Sequence, residues 1–374
     1  MLFDAPSCFG RAFRVQTFGE SHGTAVGVVL DGVRPGLPFD LQVIQAELDR
    51  RRPGQSDLVT PRQETDRVQV LSGVFEGRTT GHPIALVVFN ENQRSGDYEA
   101  IRDLFRPGHA DLTYQRKYGL RDPRGGGRSS ARETLARVAA GAFAKAQLAE
   151  LGIRIRGFNR EIAGIPGQRL DWDFVERNPL RVGDPEAFSR MRAAVEAARA
   201  DQDSVGGVCE VWIEGLPSGL GDPTFAKLNA LLAYACMTIG AVKGVEIGAG
   251  FAAARLRGSQ NNDPMGPDGM LKNDAGGILG GISTGEPVVL RLAIKPTSSL
   301  GRPQATIDRE GRAAEIVTRG RHDPCIAPRV VPVAEAMAAL VVYDAWLTQQ
   351  DLVPGSVPEV EEWDWDRLEA LLGA

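Results

Sequence analysis

Cysteine is scarce: the 374-residue chain has four, Cys8, Cys209, Cys236 and Cys325, and no two form a CxxC pair. That argues against a disulfide framework and against the usual thiolate zinc sites, and leaves free thiols of a reducing compartment. Histidine is as rare, with four residues and no HExxH. No GxxxxGK[ST] occurs, and no GxGxxG sits between a strand and a helix, so neither a P-loop nor a Rossmann site is supported. GxSxG occurs at Gly19–Gly23 and Gly281–Gly285. Each leads into a strand-like run, whereas a nucleophile elbow turns from strand into helix, which argues against a serine hydrolase. No run reaches the ~18 apolar residues of a membrane span. Asp4 and Pro6 stand where a signal peptide would need a basic start and an apolar stretch. The expectation is a soluble, cytoplasmic protein with no resident metal.

Lysine is nearly absent as well. Only six of the 43 cationic residues are lysine, and with 48 acidic residues the net charge is −5. A protein living on nucleic acid carries a basic balance, because its affinity comes from phosphate neutralisation. Residues 101–140 depart from the average, with a net charge of +5. A cationic patch on an acidic chain suits a small polyanion better than a long one.

What is present is a mixed set of elements. Asp40 caps a helix to about Arg50. Asp222-Pro223 reads as the start of another, over Ala226 to Ile239, and Pro332 opens a third through about Leu347. Ser130-Ala131-Arg132-Glu133 has the form of a capping box ahead of a helix reaching about Gly152. Strand signals run over Ala25–Leu30, Val68–Phe75, Ile84–Phe89, Val208–Ile213 and Pro287–Ile294. Strands and helices group separately, which favours α+β with antiparallel sheets over a doubly wound fold. The division read from the chain is one catalytic domain over residues 1–350 and a peripheral acidic tail over 351–374, with Trp363 and Trp365.

Three of the four histidines lie in glycine- or proline-marked loops with a carboxylate within two residues: His22, His109 and His322. Such a setting suits proton transfer near neutrality. His82, in Gly81-His82-Pro83, reads as structural. In Arg124–Glu133 a glycine run delivers the chain into a helix start, with Arg128, Ser129, Ser130 and Arg132 beside it. Amides, dipole and guanidinium forks there suit a phosphate or carboxylate. Arg50-Arg51-Arg52 either ends a helix favourably or adds anion contacts. Lys295-Pro296-Thr297-Ser298-Ser299 follows a strand as a polar loop.

Gly19–Gly23, Arg106-Pro107-Gly108-His109-Ala110-Asp111, Gly127–Thr134 and Gly320-Arg321-His322-Asp323-Pro324-Cys325 together resemble the signature stretches of the chorismate synthase family, over about Phe13 to Leu347. The resemblance implies a β-α-β sandwich core and a cytoplasmic homotetramer. It implies a carbon–oxygen lyase that converts 5-enolpyruvylshikimate 3-phosphate to chorismate and phosphate with reduced FMN. Relatives either reduce FMN themselves with NADPH or rely on an external flavin reductase, and the second is expected here, with NADPH serving only indirectly. It casts His22, His109 and Asp323 as catalytic, and Arg51, Arg106, Arg132 and Arg321 as the clamp on the substrate's phosphate and carboxylates. Arg128, Ser129, Ser130, Gly240, Ala241, Gly280, Lys295, Pro296, Thr297, Ser298, Ser299 and Arg321 become the FMN-binding set. Gly240 stands where the family often has asparagine, and Asp57 where some relatives have arginine, so side-chain contacts from those positions are not expected. A flavodoxin-like electron carrier would explain the flavin loops but not the substrate arginines or His22. An RNA-binding role is opposed by the net charge and by 6% aromatics.

Overall fold

Strand-forming residues build two five-stranded sheets, and the pairings within both are antiparallel. The computed structural model describes residues 6–55, 58, 64–91, 101–267, 269–318 and 323–352. The first sheet holds β1 (Cys8–Phe9), β2 (Arg14–Gly19), β3 (Ala25–Asp31), β4 (Val68–Ser72) and β5 (Ile84–Phe89), ordered β1-β2-β3-β5-β4. The second holds β6 (Arg154–Ile162), β7 (Ile165–Pro166), β8 (Gly207–Glu214), β9 (Val242–Ile247) and β10 (Val288–Ile294), ordered β9-β10-β8-β6-β7. The main helices are α1 (Leu41–Arg51), α2 (Asp111–Tyr118), α3 (Thr134–Ala149), α4 (Pro185–Ala200), α5 (Leu228–Met237) and α6 (Ala327–Leu352). Helix α3 packs on β2, β3 and β5, α6 packs on β6 and β8, and the two helices face each other. The result is a sheet–helix–sheet sandwich, as expected for the α+β class.

The helix layer is tight because its facing residues are small. A Cβ on Gly141 of α3 would lie 2.4 Å from the Cβ of Ala336 on α6, so only glycine permits this approach. The α6 window long and apolar enough to cross a membrane has a mean hydropathy of 1.6, yet it is wholly buried between the sheets. Glu335 and Asp344 interrupt its apolar run, in keeping with the sequence reading, and the stretch is a core helix. Its most deeply buried charge, Glu335, is satisfied four times. Arg50 donates twice (2.6 and 2.9 Å), Lys145 once (2.7 Å) and the Gly157 amide once (2.9 Å). One carboxylate thus ties together α1, α3, α6 and β6. Asp344 on α6 similarly accepts the amides of Arg11, Ala12 and Phe13, each at 2.8 Å, and so anchors the entry to β2.

Several boundaries differ from the sequence reading, for local reasons. Helix α6 starts at Ala327 rather than Pro332, since Pro328 near the start needs no amide partner and Pro332 forfeits one bond only. Asp222 caps no helix. Its carboxylate pairs with Arg11 at 3.3 Å, and α5 begins at Leu228, whose amide donates to the Gly281 carbonyl. Val68–Phe75 is broken by Gly73 at φ +82° into β4 and a short hairpin arm. Ser130 caps a 3-10 turn, Ala131–Glu133, instead of the α-helix, and Glu133 turns forward to Arg137 at 2.8 Å. Helix α4, capped by Asp184 with Pro185 behind it, carries a start signal that the sequence reading passed over. The acidic tail beyond Leu352 lies outside the described residues.

Gly141→Val is expected to lower stability by about 1–3 kcal/mol through overpacking, read as a lower denaturation midpoint. An unchanged midpoint would contradict the close crossing of α3 and α6.

Candidate active site

Helix ends and the loops between layers converge on one cavity of about 510 Å³. Its wall takes Arg51 from the end of α1, Arg106–Ala110 from the loop into α2, and Arg128–Thr134 from the turns into α3. It also takes Gly240 and Ala241 after α5, Lys295–Ser299 after β10, and Asp323, Arg329 and Val333 at the start of α6. The volume falls in the range of about 300–1,000 Å³ usual for ligand sites. Six arginines (51, 106, 128, 132, 137 and 329) and Lys295 line it against two carboxylates, Glu133 and Asp323. The starts of α3 and α6 also bring positive dipole ends to it.

Each cation is held by a specific partner. Asp66 accepts Arg51 Nη1 at 3.1 Å on one oxygen and Arg132 Nη1 at 2.9 Å on the other. Burial works to raise the Asp66 pKa, but Arg51 and Arg132 outweigh it and the carboxyl stays below its usual range. Arg132 Nε donates to Asn90 Oδ1, whose own amide donates to the carbonyls of Glu20 and Gly23. The His22 loop is therefore tied to Arg132 through Asn90. Among the described residues, Nη2 of Arg132 is buried with no hydrogen-bond partner. Arg329 Nη1 donates to Asp323 Oδ2 at 2.7 Å, fixing that carboxylate at the cavity wall. Arg128 turns towards the first sheet, donating to Thr17 Oγ1 at 2.8 Å. Lys295 Nζ donates to Ser298 Oγ at 2.7 Å and to the Gly108 carbonyl at 3.1 Å, closing the 295–299 loop against the His109 loop.

His109 and Arg106 share Asp111. Arg106 forks onto its carboxylate at 2.7 and 2.9 Å, and His109 Nδ1 lies 3.0 Å from Oδ1. Burial pushes the Asp111 pKa up, but the hydrogen bonds from Arg106 and His109 outweigh it and hold the group ionised. An ionised carboxylate only accepts, so the ring proton belongs on Nδ1 and Nε2 is left for exchange. The imidazole is itself lowered below its ordinary pKa of 6.5, first by burial and then by Arg106, with Asp111 opposing.

The structure brings together Arg51, Arg106, His109, Arg128, Ser129, Ser130, Arg132, Gly240, Ala241, Lys295, Pro296, Thr297, Ser298, Ser299 and Asp323 on this cavity. His22 is not part of the lining: it is buried at 5% exposure, directly behind Gly125, where a Cβ would lie 2.8 Å from its Nε2. Gly125 has φ +64° and Gly126 φ +89°, and a Cβ on Gly126 would meet the His109 ring at 2.9 Å. The glycine run therefore separates the two imidazoles by backbone alone. Gly280 sits in the turn between Leu279 and Ile282 and is not among the residues lining this cavity. Arg321, His322 and Asp57 lie outside the described residues. His82 is exposed, with its ring against the Thr80 carbonyl. Cys325 is buried, its thiol pushed up to about 12 by burial. Ser283 is buried in hydrogen bonds to Pro217 and Leu220, which leaves its GxSxG motif without a nucleophile.

The sequence reading passed over Arg329, Arg137, Asp66 and Asn90. Arg329 was missed because α6 was drawn from Pro332. Arg137 carried a usable signal, its position four residues after Glu133. Asp66 and Asn90 act through contacts remote in sequence, at separations of 66 and 42 residues from Arg132.

A sequence profile described as chorismate synthase matches residues 13–347 of the chain. The chain is also similar to a solved structure described as "Crystal Structure of Chorismate Synthase". That structure is 32% identical with a TM-score of 0.72, and the match covers 97% of this chain and 99% of the other.

The ring protons of His109, followed by NMR, are expected to titrate with a midpoint below 6.5. Asp111→Asn removes the contribution that opposes burial, so the midpoint is expected to fall further. An upward shift would contradict the pairing.

Proposed function

The chain belongs to the chorismate synthase family, and on that footing we propose that it converts 5-enolpyruvylshikimate 3-phosphate to chorismate and phosphate by an anti-1,4-elimination that requires reduced FMN. Membership carries chorismate formation, a lyase step of aromatic biosynthesis. The flavin requirement and the residue roles are our reading. The observation that supports it most is the gathering of seven cations with His109 and Asp323 round one cavity. A substrate with one phosphate and two carboxylates calls for such a set, because guanidinium forks pair with each of those groups.

In this reading Arg51, Arg106, Arg132 and Arg321 bind the substrate's anionic groups. Arg128, Ser129, Ser130, Gly240, Ala241 and Lys295–Ser299, with Arg321, would hold FMN; Gly280, expected to join them, is not part of this lining. The residues fit an added planar group: a Cβ on Gly240 would meet nothing within 4 Å, so the lining is open there. What reduced FMN supplies when bound is transient electron density for the allylic system as phosphate departs, with no net redox change. The protein's part is orientation, electrostatics and proton placement. His22 holds a proton for the departing phosphate from behind the side-chain-free Gly125. His109, with Nδ1 committed to Asp111, would keep Nε2 for holding or passing a proton to reduced FMN. Anions entering the cavity would raise its proton affinity against the lowering by burial and Arg106. Asp323, oriented by Arg329, assists the relay of the proton lost from the substrate's C6. We further propose, from the family resemblance, a cytoplasmic homotetramer whose FMN is reduced by an external reductase, NADPH acting through that reductase.

Anaerobic incubation with dithionite-reduced FMN and the phosphorylated substrate is expected to release chorismate and phosphate. No release from folded protein would overturn the proposal, and flavin binding without release would favour an electron carrier. His22→Ala is expected to lower turnover by roughly 10²–10⁴ while FMN still binds, as for a lost general acid. Turnover equal to that of the unaltered protein would remove His22 from the chemistry.

A further inference from the structure

We propose that Asp66 is a positioning residue that locks Arg51 and Arg132 into a single two-guanidinium receptor for one anionic group of the substrate. The inference rests on the reading of those arginines as part of the substrate clamp, and adds a residue that the clamp cannot act without.

The two arginines arrive from different places, the last turn of α1 and the 3-10 turn ahead of α3. Both are almost fully buried, at 1% and 4% exposure, and both line the cavity. Long cationic side chains side by side repel and swing apart unless something opposes their charge and fixes their rotamers. Asp66, 2% exposed, does both, with one oxygen on each guanidinium at 3.1 and 2.9 Å. The backbone that carries it is held in turn. Gln45 Nε2 donates to the Asp66 carbonyl at 3.2 Å, and Gln45 Oε1 accepts the Val68 amide at 3.0 Å. Asp66 has φ +45°, a left-handed backbone uncommon for a residue with a side chain and retained where the surroundings dictate it.

The hydrogen-bond inventory of Arg132 shows what this arrangement leaves over. Nε is committed to Asn90 and Nη1 to Asp66. Nη2 is buried without a hydrogen bond among the described residues, and Glu64 Oε2 is 3.8 Å away. Two committed nitrogens thus fix the plane of the guanidinium, and the third stays within ion-pair distance of Glu64.

This role makes a prediction opposite in sign to that of charge alone. A buried negative charge beside the clamp should weaken anion binding, so removing the charge without a positioning role would lower KM. Loss of positioning raises it.

The test uses the full chain under anaerobic conditions with reduced FMN, comparing Asp66→Asn, Arg132→Ala and the double variant. Asp66→Asn is expected to raise KM for the phosphorylated substrate by roughly ten- to a hundredfold, with FMN affinity unchanged. The double variant should fall well short of the product of the two single effects. A lowered or unchanged KM in Asp66→Asn, or full multiplicativity in the double variant, would overturn the proposal. Asp66→Ser serves as a second probe, and failure of both Asp66 variants to fold would make Asp66 a structural keystone and equally reject a positioning role. If Arg132→Ala alone leaves KM unchanged, the clamp reading itself fails, which is a separate result from an innocuous Asp66→Asn.

Discussion

Seven cationic side chains round one cavity of about 510 Å³ form an unstable arrangement unless carboxylates oppose them. Two unit charges 4 Å apart at an effective dielectric of 20 repel by about 4 kcal/mol. The structure meets this with acids placed singly: Asp66 between Arg51 and Arg132, Asp111 beneath Arg106 and His109, Asp323 against Arg329, and Glu133 against Arg137. Each acid removes repulsion and fixes a rotamer, so the cations are oriented before any ligand arrives. Such preorganisation lowers the cost of binding and of stabilising charge that moves during reaction.

That arrangement needs a rigid frame, since its members come from helix ends and loops far apart in the chain. The frame is the helix layer between the sheets. Glu335 binds α1, α3 and α6 together from within, and its proton is held off by Arg50 and Lys145 despite burial, which alone would raise its pKa. Arg50 and Arg51 are neighbours on α1 with different tasks: Arg50 pins the helix through Glu335, and Arg51 then projects into the cavity. The close passage of Gly141 over Ala336 keeps the starts of α3 and α6 near enough to share one wall.

Much of this was legible in the sequence because it is local. The strand over Ile84–Phe89 matches the β-branched run residue for residue, and α1 follows the Asp40 cap, whose carboxylate accepts the Gln42 amide. The site loops could be read from glycine, arginine and histidine standing within a few residues of one another. What was hidden depends on tertiary contact. Ser130 and Glu133 have the spacing of a capping box, but Arg137 competes for Glu133 and the first turn tightens to 3-10. Asp222 has a cap's form, but Arg11 claims its carboxylate. Asp66 gives no local signal at all, because its meaning lies in two guanidiniums brought to it by the fold.

The central claim is that preset cations recognise a compact, multiply anionic ligand. Calorimetric titration in the presence of oxidised FMN, with the phosphorylated substrate and its dephosphorylated counterpart, tests it most directly. The account expects the phosphorylated compound to bind at least about tenfold more tightly, with an advantage that shrinks as salt rises. Equal affinities for the two compounds, unaffected by salt, would contradict it.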